Sequence, residues 1–183
     1  MQQRQPTLAS SCARAATAAE ARFRIDYPDT ANRAARVIAL DEQAAVIVRG
    51  LAWQPWRGGH FLVFDETVSA AANGEGAGGP AEAALRAADG TRVLLSDELA
   101  AADSVVMIAT PAATAEAAEV IGDACAERMI MSAGLVVAAD GDGGEPGTAT
   151  TGGVVAALRP NAMVLVVLAD AGDVPELLAA LRV

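Results

Sequence analysis

Short runs of apolar residues, each ended by a polar residue or a turn, recur through the second half of the chain. Four of them stand out: Val93–Leu95, Val105–Ala109, Leu135–Ala139 and Met163–Leu168. The runs are uninterrupted rather than alternating, which is typical of strands buried on both faces of a parallel sheet. Segments with helical spacing separate them. The pattern therefore predicts an α/β fold, namely a three-layer, Rossmann-like domain with a mostly parallel sheet.

Two helices are clearly indicated in this half of the chain. The first covers residues 114–128, and the apolar side chains that share one face are Ala117, Val120, Ile121, Ala124 and Cys125. The second covers residues 174–181, where Asp173 is suited to cap the helix and Glu176 lies in its first turn. Shorter helices are expected directly after Val93–Leu95 and over residues 154–158.

The stretch before the first Gly-rich turn is harder to interpret. Apolar residues recur mostly at three- to four-residue steps, at Ala34, Val37, Ile38, Ala45, Val48 and Ala52. This spacing predicts one helix that begins at Asp29 or Thr30 and runs to about residue 52. A strand over Ala45–Val48 is the alternative, because short apolar runs suit either structure.

Residues 53–90 contain turn signals and two further predicted elements. A strand is predicted over Phe61–Phe64, opened by His60. A helix is predicted over Ala81–Ala88, since Pro80 stands at the position where a helix tolerates proline best. The Asp89-Gly90 pair that follows leaves a hairpin as the alternative.

Residues 1–28 differ from the rest in being polar and Ala-rich without an apolar stripe. We interpret them as an N-terminal tail or a loosely attached helix. The remaining residues, 29–183, are predicted to form a single domain, because strands of one type continue on both sides of each Gly-rich loop.

Charge and composition exclude several kinds of function. The net charge is −10, and all 13 basic residues are arginine. An acidic surface repels phosphate backbones and anionic lipids, so neither nucleic acid nor a membrane is expected as a partner. Without lysine the chain cannot form a Schiff base or supply a P-loop lysine. The two cysteines stand in unrelated contexts, which favours a reducing, cytoplasmic location.

Polar residues that end the predicted strands are the first candidate site. They are Asp65, Asp97, Thr110, Asp140 and Asp170. In a parallel sheet such residues share the carboxyl edge, where ligands bind. Carboxylates suit a hard cation such as Mg²⁺, so Asp97, Asp140 and Asp170 are candidate metal ligands. The simpler alternative is that each aspartate caps a helix or a turn.

Glycines ahead of the predicted helix over Ala81–Ala88 are the second candidate. Gly74, Gly76 and Gly79 have the spacing of a dinucleotide-binding loop, and Asp97 follows eighteen residues later. With Thr110, these are the candidate cofactor-binding residues. The alternative is a solvated loop, since the motif does not open directly after a strand.

Two functions of different classes fit these observations. The first is a non-catalytic α/β module that binds a protein partner or self-associates, suggested by the missing lysine and the single histidine, His60. The second is a nucleotide- or cofactor-binding Rossmann-like enzyme, or a degenerate relative of one, with its site at the carboxyl edge of the sheet. A nucleotide or Mg²⁺ is the cofactor that the second function implies.

Overall fold

The structure, a computed structural model, describes residues 34–65, 83–138 and 149–183. Within these ranges the strands are β1 (Ala35–Ala39), β2 (Gly59–Phe64), β3 (Ala84–Ala87), β4 (Arg92–Leu94), β5 (Ser104–Ala109), β6 (Met131–Val137) and β7 (Val164–Leu168). The α-helices of the same ranges are α1 (Glu42–Leu51), α2 (Leu95–Ala100), α3 (Ala115–Glu127), α4 (Ala149–Leu158) and α5 (Val174–Ala180). A 3-10 helix, Ala171–Asp173, precedes α5. The tail predicted over residues 1–28 lies outside the described residues.

All of these strands belong to one sheet, in the order β4-β3-β2-β1-β5-β6-β7. The strands β2, β1, β5, β6 and β7 are each parallel to their neighbours in this group. The strands β3 and β4 form an antiparallel hairpin that extends the sheet beyond β2. The described chain is therefore an α/β structure with a mostly parallel sheet, as three of the four apolar runs predict. The prediction for Val93–Leu95 is wrong, because Arg92–Leu94 form an antiparallel strand at the edge of the sheet with exposed or half-buried side chains, and Leu95 already belongs to α2.

Successive side chains of the central strands enter two separate apolar cores. Ile38 of β1 and Met107 of β5 pack with α2, α3 and α4 on one face. Val37 and Ile108, their neighbours in the chain, pack with α1 and α5 on the other face. Helices thus cover both faces, so apolar side chains are needed at most positions of these strands. None of the helices in the described ranges is long and apolar enough to span a membrane.

Helix α3 confirms the prediction over residues 114–128, including the position of Cys125. The Cys125 thiol is buried in the core beneath α3. Burial raises the pKa of this thiol to about 11 because the charged thiolate loses its hydration. Cys125 therefore behaves as a small apolar core residue.

The single helix predicted up to residue 52 is wrong in its first half. Residues Ala35–Ala39 form β1, a completely buried strand between β2 and β5, and the helix begins only at Glu42. The strand proposed as the alternative over Ala45–Val48 is also wrong, since these residues lie in α1. Pairing on both sides decides the conformation of β1, and the local spacing of apolar residues does not carry that information.

The helix predicted over Ala81–Ala88 is also wrong, and the hairpin alternative is confirmed. Residues Ala84–Ala87 form β3, which pairs with β2 on one side and β4 on the other. Gly90 turns the hairpin with a φ of 87°, a left-handed conformation that glycine adopts without steric strain. Alanine favours helices, but here the pairing with two neighbouring strands outweighs that preference.

Candidate functional site

The carboxyl ends of β1 and β5 are neighbours, and the chain leaves them toward opposite faces of the sheet. After β1 it forms α1 on one face, and after β5 it forms α3 on the other. Loops that diverge in this way leave a crevice, which is where open α/β sheets bind their ligands. A cavity of about 670 Å³, here called the edge cavity, opens at this place. Its polar lining consists of Asp41, Glu42, Gln43, Arg49, Asp65, Arg86 and Thr114.

Asp41 connects the loops that follow β1 and β5. Its Oδ1 accepts hydrogen bonds from the Ala44 backbone N–H at 2.9 Å and from the Thr110 hydroxyl at 3.0 Å. Its Oδ2 accepts a hydrogen bond from the Thr110 backbone N–H at 2.8 Å. Asp41 is therefore both the N-cap of α1 and the anchor of the neighbouring loop. Thr110 is buried and supports the cavity through Asp41.

Asp65 and Arg86 form another side of the edge cavity, and Arg92 lies beside them without lining it. Asp65 follows β2 directly, and its buried Oδ2 accepts hydrogen bonds from Arg86 at 2.7 Å and from Arg92 at 3.3 Å. The side chains of Arg86 and Arg92 are 48% and 59% exposed. Two positive charges thus surround one buried negative charge, so this cluster presents a net positive charge to solvent.

Arg49 adds a second cation to the lining of the edge cavity. Its Nη1 donates a hydrogen bond of 2.8 Å to Glu42 on the same helix. This hydrogen bond and the charge of Arg49 hold the pKa of the Glu42 carboxyl below its ordinary value, and the charge of Arg86 acts in the same direction. Arg49, Glu42 and Arg86 are therefore close enough to interact electrostatically.

The charged lining of the edge cavity consists of three carboxylates and two guanidinium groups. The oxygens of Asp41 already accept three hydrogen bonds from the protein, and Asp65 is buried against Arg86. The side chains of Arg49 and Arg86 are 42% and 48% exposed, and Glu42, the partner of Arg49, is exposed as well. Guanidinium binds carboxylate and phosphate oxygens through paired, charge-assisted hydrogen bonds.

The predicted site residues lie in different parts of the sheet. Thr110 belongs to the edge cavity through its contact with Asp41. Asp97 lies on α2, after the edge strand β4, whereas Asp170 follows β7 at the opposite edge and caps the 3-10 helix. The structure does not bring Asp97 and Asp170 together. The remaining candidates, Gly74, Gly76, Gly79 and Asp140, lie outside the described residues, so their roles stay predictions.

Asp97 borders a second cavity, of about 650 Å³, beside α2. The next residue, Glu98, accepts a hydrogen bond of 2.7 Å from Arg36, and its Oε2 lies 2.8 Å from Nδ1 of His60. The Arg36 and Glu98 side chains are 10% and 12% exposed, so this ion pair is largely buried. It joins α2 to the amino ends of β1 and β2, where the sequence places His60.

The structure also tests the predicted metal ligands as a group. Among the residues that the structure describes, no group of three or more His, Cys, Asp or Glu side chains could hold a metal ion.

The sequence prediction omits Asp41, Arg49 and Arg86, all of which line the edge cavity. Asp41 had a usable signal, because it follows an apolar run and precedes an acidic first turn. Arg86 had no such signal, because the composition of its segment predicts a helix and not a strand.

No known protein-family model matches this sequence. A search of curated proteins likewise found no match. The geometry and charge of the site are therefore the basis for any inference about function.

Proposed function

We propose that the chain is a Rossmann-like domain that binds a small anionic ligand, of the nucleotide or related cofactor class, in the edge cavity. The observation that carries the proposal is the position of this cavity beside the point where the strand order reverses. The parallel strands run β2-β1-β5-β6-β7, which is the 2-1-3-4-5 order of one group of doubly wound domains. In such domains the ligand lies at the carboxyl ends of the strands that flank the reversal.

The two arginines of the edge cavity support an anionic ligand. Arg86 is oriented by the buried carboxylate of Asp65 but keeps about half of its side chain exposed. Arg49 provides a second guanidinium group on the facing helix, α1. We infer that these two side chains bind the carboxylate or phosphate group of the ligand, while Asp41 and Thr110 keep the cavity open.

A thermal-shift screen tests the proposal. The full chain is heated with NAD, NADP, FAD, ATP or GTP, each with and without Mg²⁺. A ligand at 100 times its dissociation constant stabilises a protein by about 2.7 kcal/mol. For a chain of this size that corresponds to an increase in melting temperature of about 5–10 °C. The absence of a shift with every compound would contradict the assignment to this ligand class.

The variant Arg86→Gln links any observed binding to the edge cavity. A hydrogen bond to a charged group contributes about 1.5–3 kcal/mol, so removing Arg86 should weaken binding at least tenfold. At the same ligand concentration the stabilisation should fall to about half. Arg159→Gln is the matched control, because Arg159 is exposed and follows α4, away from this cavity. Equal loss of binding in both variants would place the ligand elsewhere.

A further inference from the structure

The two edge strands of the sheet differ in length and in charge. At one end, β4 has three residues and includes Arg92, and short, charged strands are typical of edges that resist pairing with other chains. At the other end, β7 has the sequence VLVVL, without charge or proline. Within the described ranges, β6 is the only strand that pairs with β7. An edge strand of this kind is a template for pairing with another chain.

Apolar surface continues around β7. Val164 is 47% exposed, and Met163, just before the strand, is 76% exposed. Met131, the first residue of the neighbouring β6, is 49% exposed. Large apolar side chains scattered singly need no explanation, but here three of them are adjacent at the amino end of the same edge. Methionine adapts its shape readily and is common at binding surfaces.

The two ends of β7 carry opposite charges. At the amino end, exposed Arg159 ends the helical segment that leads into the strand. At the carboxyl end, Asp170, Asp173 and Glu176 are exposed. A strand of five residues is about 16 Å long, so basic and acidic groups are separated by little more than the strand itself.

We propose that β7 pairs in antiparallel orientation with β7 of a second copy of this chain, so that one sheet continues through both copies. A twofold axis near Val166 then places the same edge of the two copies against each other. In this orientation the basic end of one β7 lies beside the acidic end of the other, which is favourable. Parallel pairing would place like charges side by side. The dimer does not depend on ligand binding in the edge cavity.

The mass of the full chain in solution tests the dimer. Sedimentation equilibrium should give twice the monomer mass of 18.4 kDa. Val164→Glu should raise the dissociation constant of the dimer by about tenfold or more, because it places a negative charge on the edge strand beside the acidic end of the partner's β7. Val46→Glu is the matched control, since Val46 is also an exposed valine, at 65%, but lies on α1. A monomeric wild-type chain, or equal dissociation constants for both variants, would overturn the proposal.

Charge reversal tests the antiparallel orientation without changing β7. Arg159→Glu and Asp173→Arg should each weaken the dimer, because each creates like charges across the twofold axis. The double variant should regain most of the loss. Asp173 is suitable because its side chain makes no capping hydrogen bond to α5. If the double variant is no better than the single ones, the antiparallel pairing is wrong. Circular dichroism of every variant distinguishes loss of pairing from loss of folding.

Discussion

Asp41 is the side chain on which the geometry of the edge cavity depends most directly. It caps α1 through the Ala44 N–H and holds the loop after β5 through two hydrogen bonds from Thr110. The loss of an N-cap costs about 1 kcal/mol, and each further lost hydrogen bond costs about as much. We therefore expect Asp41→Ala to lower the free energy of unfolding, measured in urea, by about 2–3 kcal/mol.

Asp173→Ala is the control for this prediction. Asp173 stands at the N-cap position of α5, but its side chain makes no capping hydrogen bond. Its replacement should therefore change the free energy of unfolding of the monomer by less than about 0.5 kcal/mol. Similar losses for Asp41→Ala and Asp173→Ala would show that the hydrogen bonds of Asp41 contribute little.

Thr110 and Asp41 also show how much of the site could be predicted from residues alone. Thr110 ends an apolar run, and in a parallel sheet every such position lies at the carboxyl edge. The local pattern is therefore sufficient to predict Thr110 as a residue of the site. Its partner Asp41 is 69 residues away in sequence. Only the order of the strands brings the two together, and strand order follows from non-local packing that the sequence pattern does not display.

At the level of elements, predictions succeeded where the local pattern and the tertiary environment agree. Strand β5 and helices α3 and α5 have unambiguous periodicities, and the structure confirms them. Strands β1 and β3 were mistaken for helices because both are short and rich in alanine and arginine. Their neighbours in the sheet determine their conformation. The error at β3 also concealed Arg86 as a site residue.

Gly122 on α3 packs closely against the segment that follows α4. A Cβ at this position would overlap the side chain of Asn161, which follows α4. Asn161 cannot easily move, because its side-chain Nδ2 donates a hydrogen bond of 3.1 Å to the Ala157 backbone carbonyl. Its own backbone carbonyl accepts a hydrogen bond of 2.7 Å from the Ser132 hydroxyl. Overpacking costs about 1–3 kcal/mol, whereas alanine gains about 1 kcal/mol over glycine in a helix. We expect Gly122→Ala to lower the free energy of unfolding by about 1 kcal/mol.

Gly50→Ala is the matched control, with an effect of the opposite sign. Gly50 lies in α1, and a Cβ there would meet nothing within 4 Å. The same substitution should therefore raise the free energy of unfolding by about 0.5–1 kcal/mol. Urea denaturation of both variants checks the pair. If Gly122→Ala is as stabilising as Gly50→Ala, the contact between α3 and Asn161 is loose.

For the molecule as a whole, the sheet separates the two proposed binding regions. The edge cavity lies at the carboxyl ends of β1, β2 and β5, and the proposed dimer forms at β7. Strand β5 is two strand spacings from β7, about 10 Å at ~4.8 Å per spacing, and β3, which carries Arg86, is five spacings away, about 24 Å. Substitutions more than about 7–10 Å apart without shared partners usually have additive effects. Nothing in the described packing gives the two regions a common residue.

This separation predicts that ligand binding and dimerisation are energetically independent. Val164→Glu should leave the ligand-induced thermal shift at its wild-type size, and Arg86→Gln should leave the dimer dissociation constant at its wild-type value. The double variant Arg86→Gln/Val164→Glu should show both losses at their single-variant sizes. Independence follows because two sites are coupled only when each biases a shared conformational equilibrium. A dimer dissociation constant that changes when ligand is added would demonstrate coupling through the sheet and contradict the prediction.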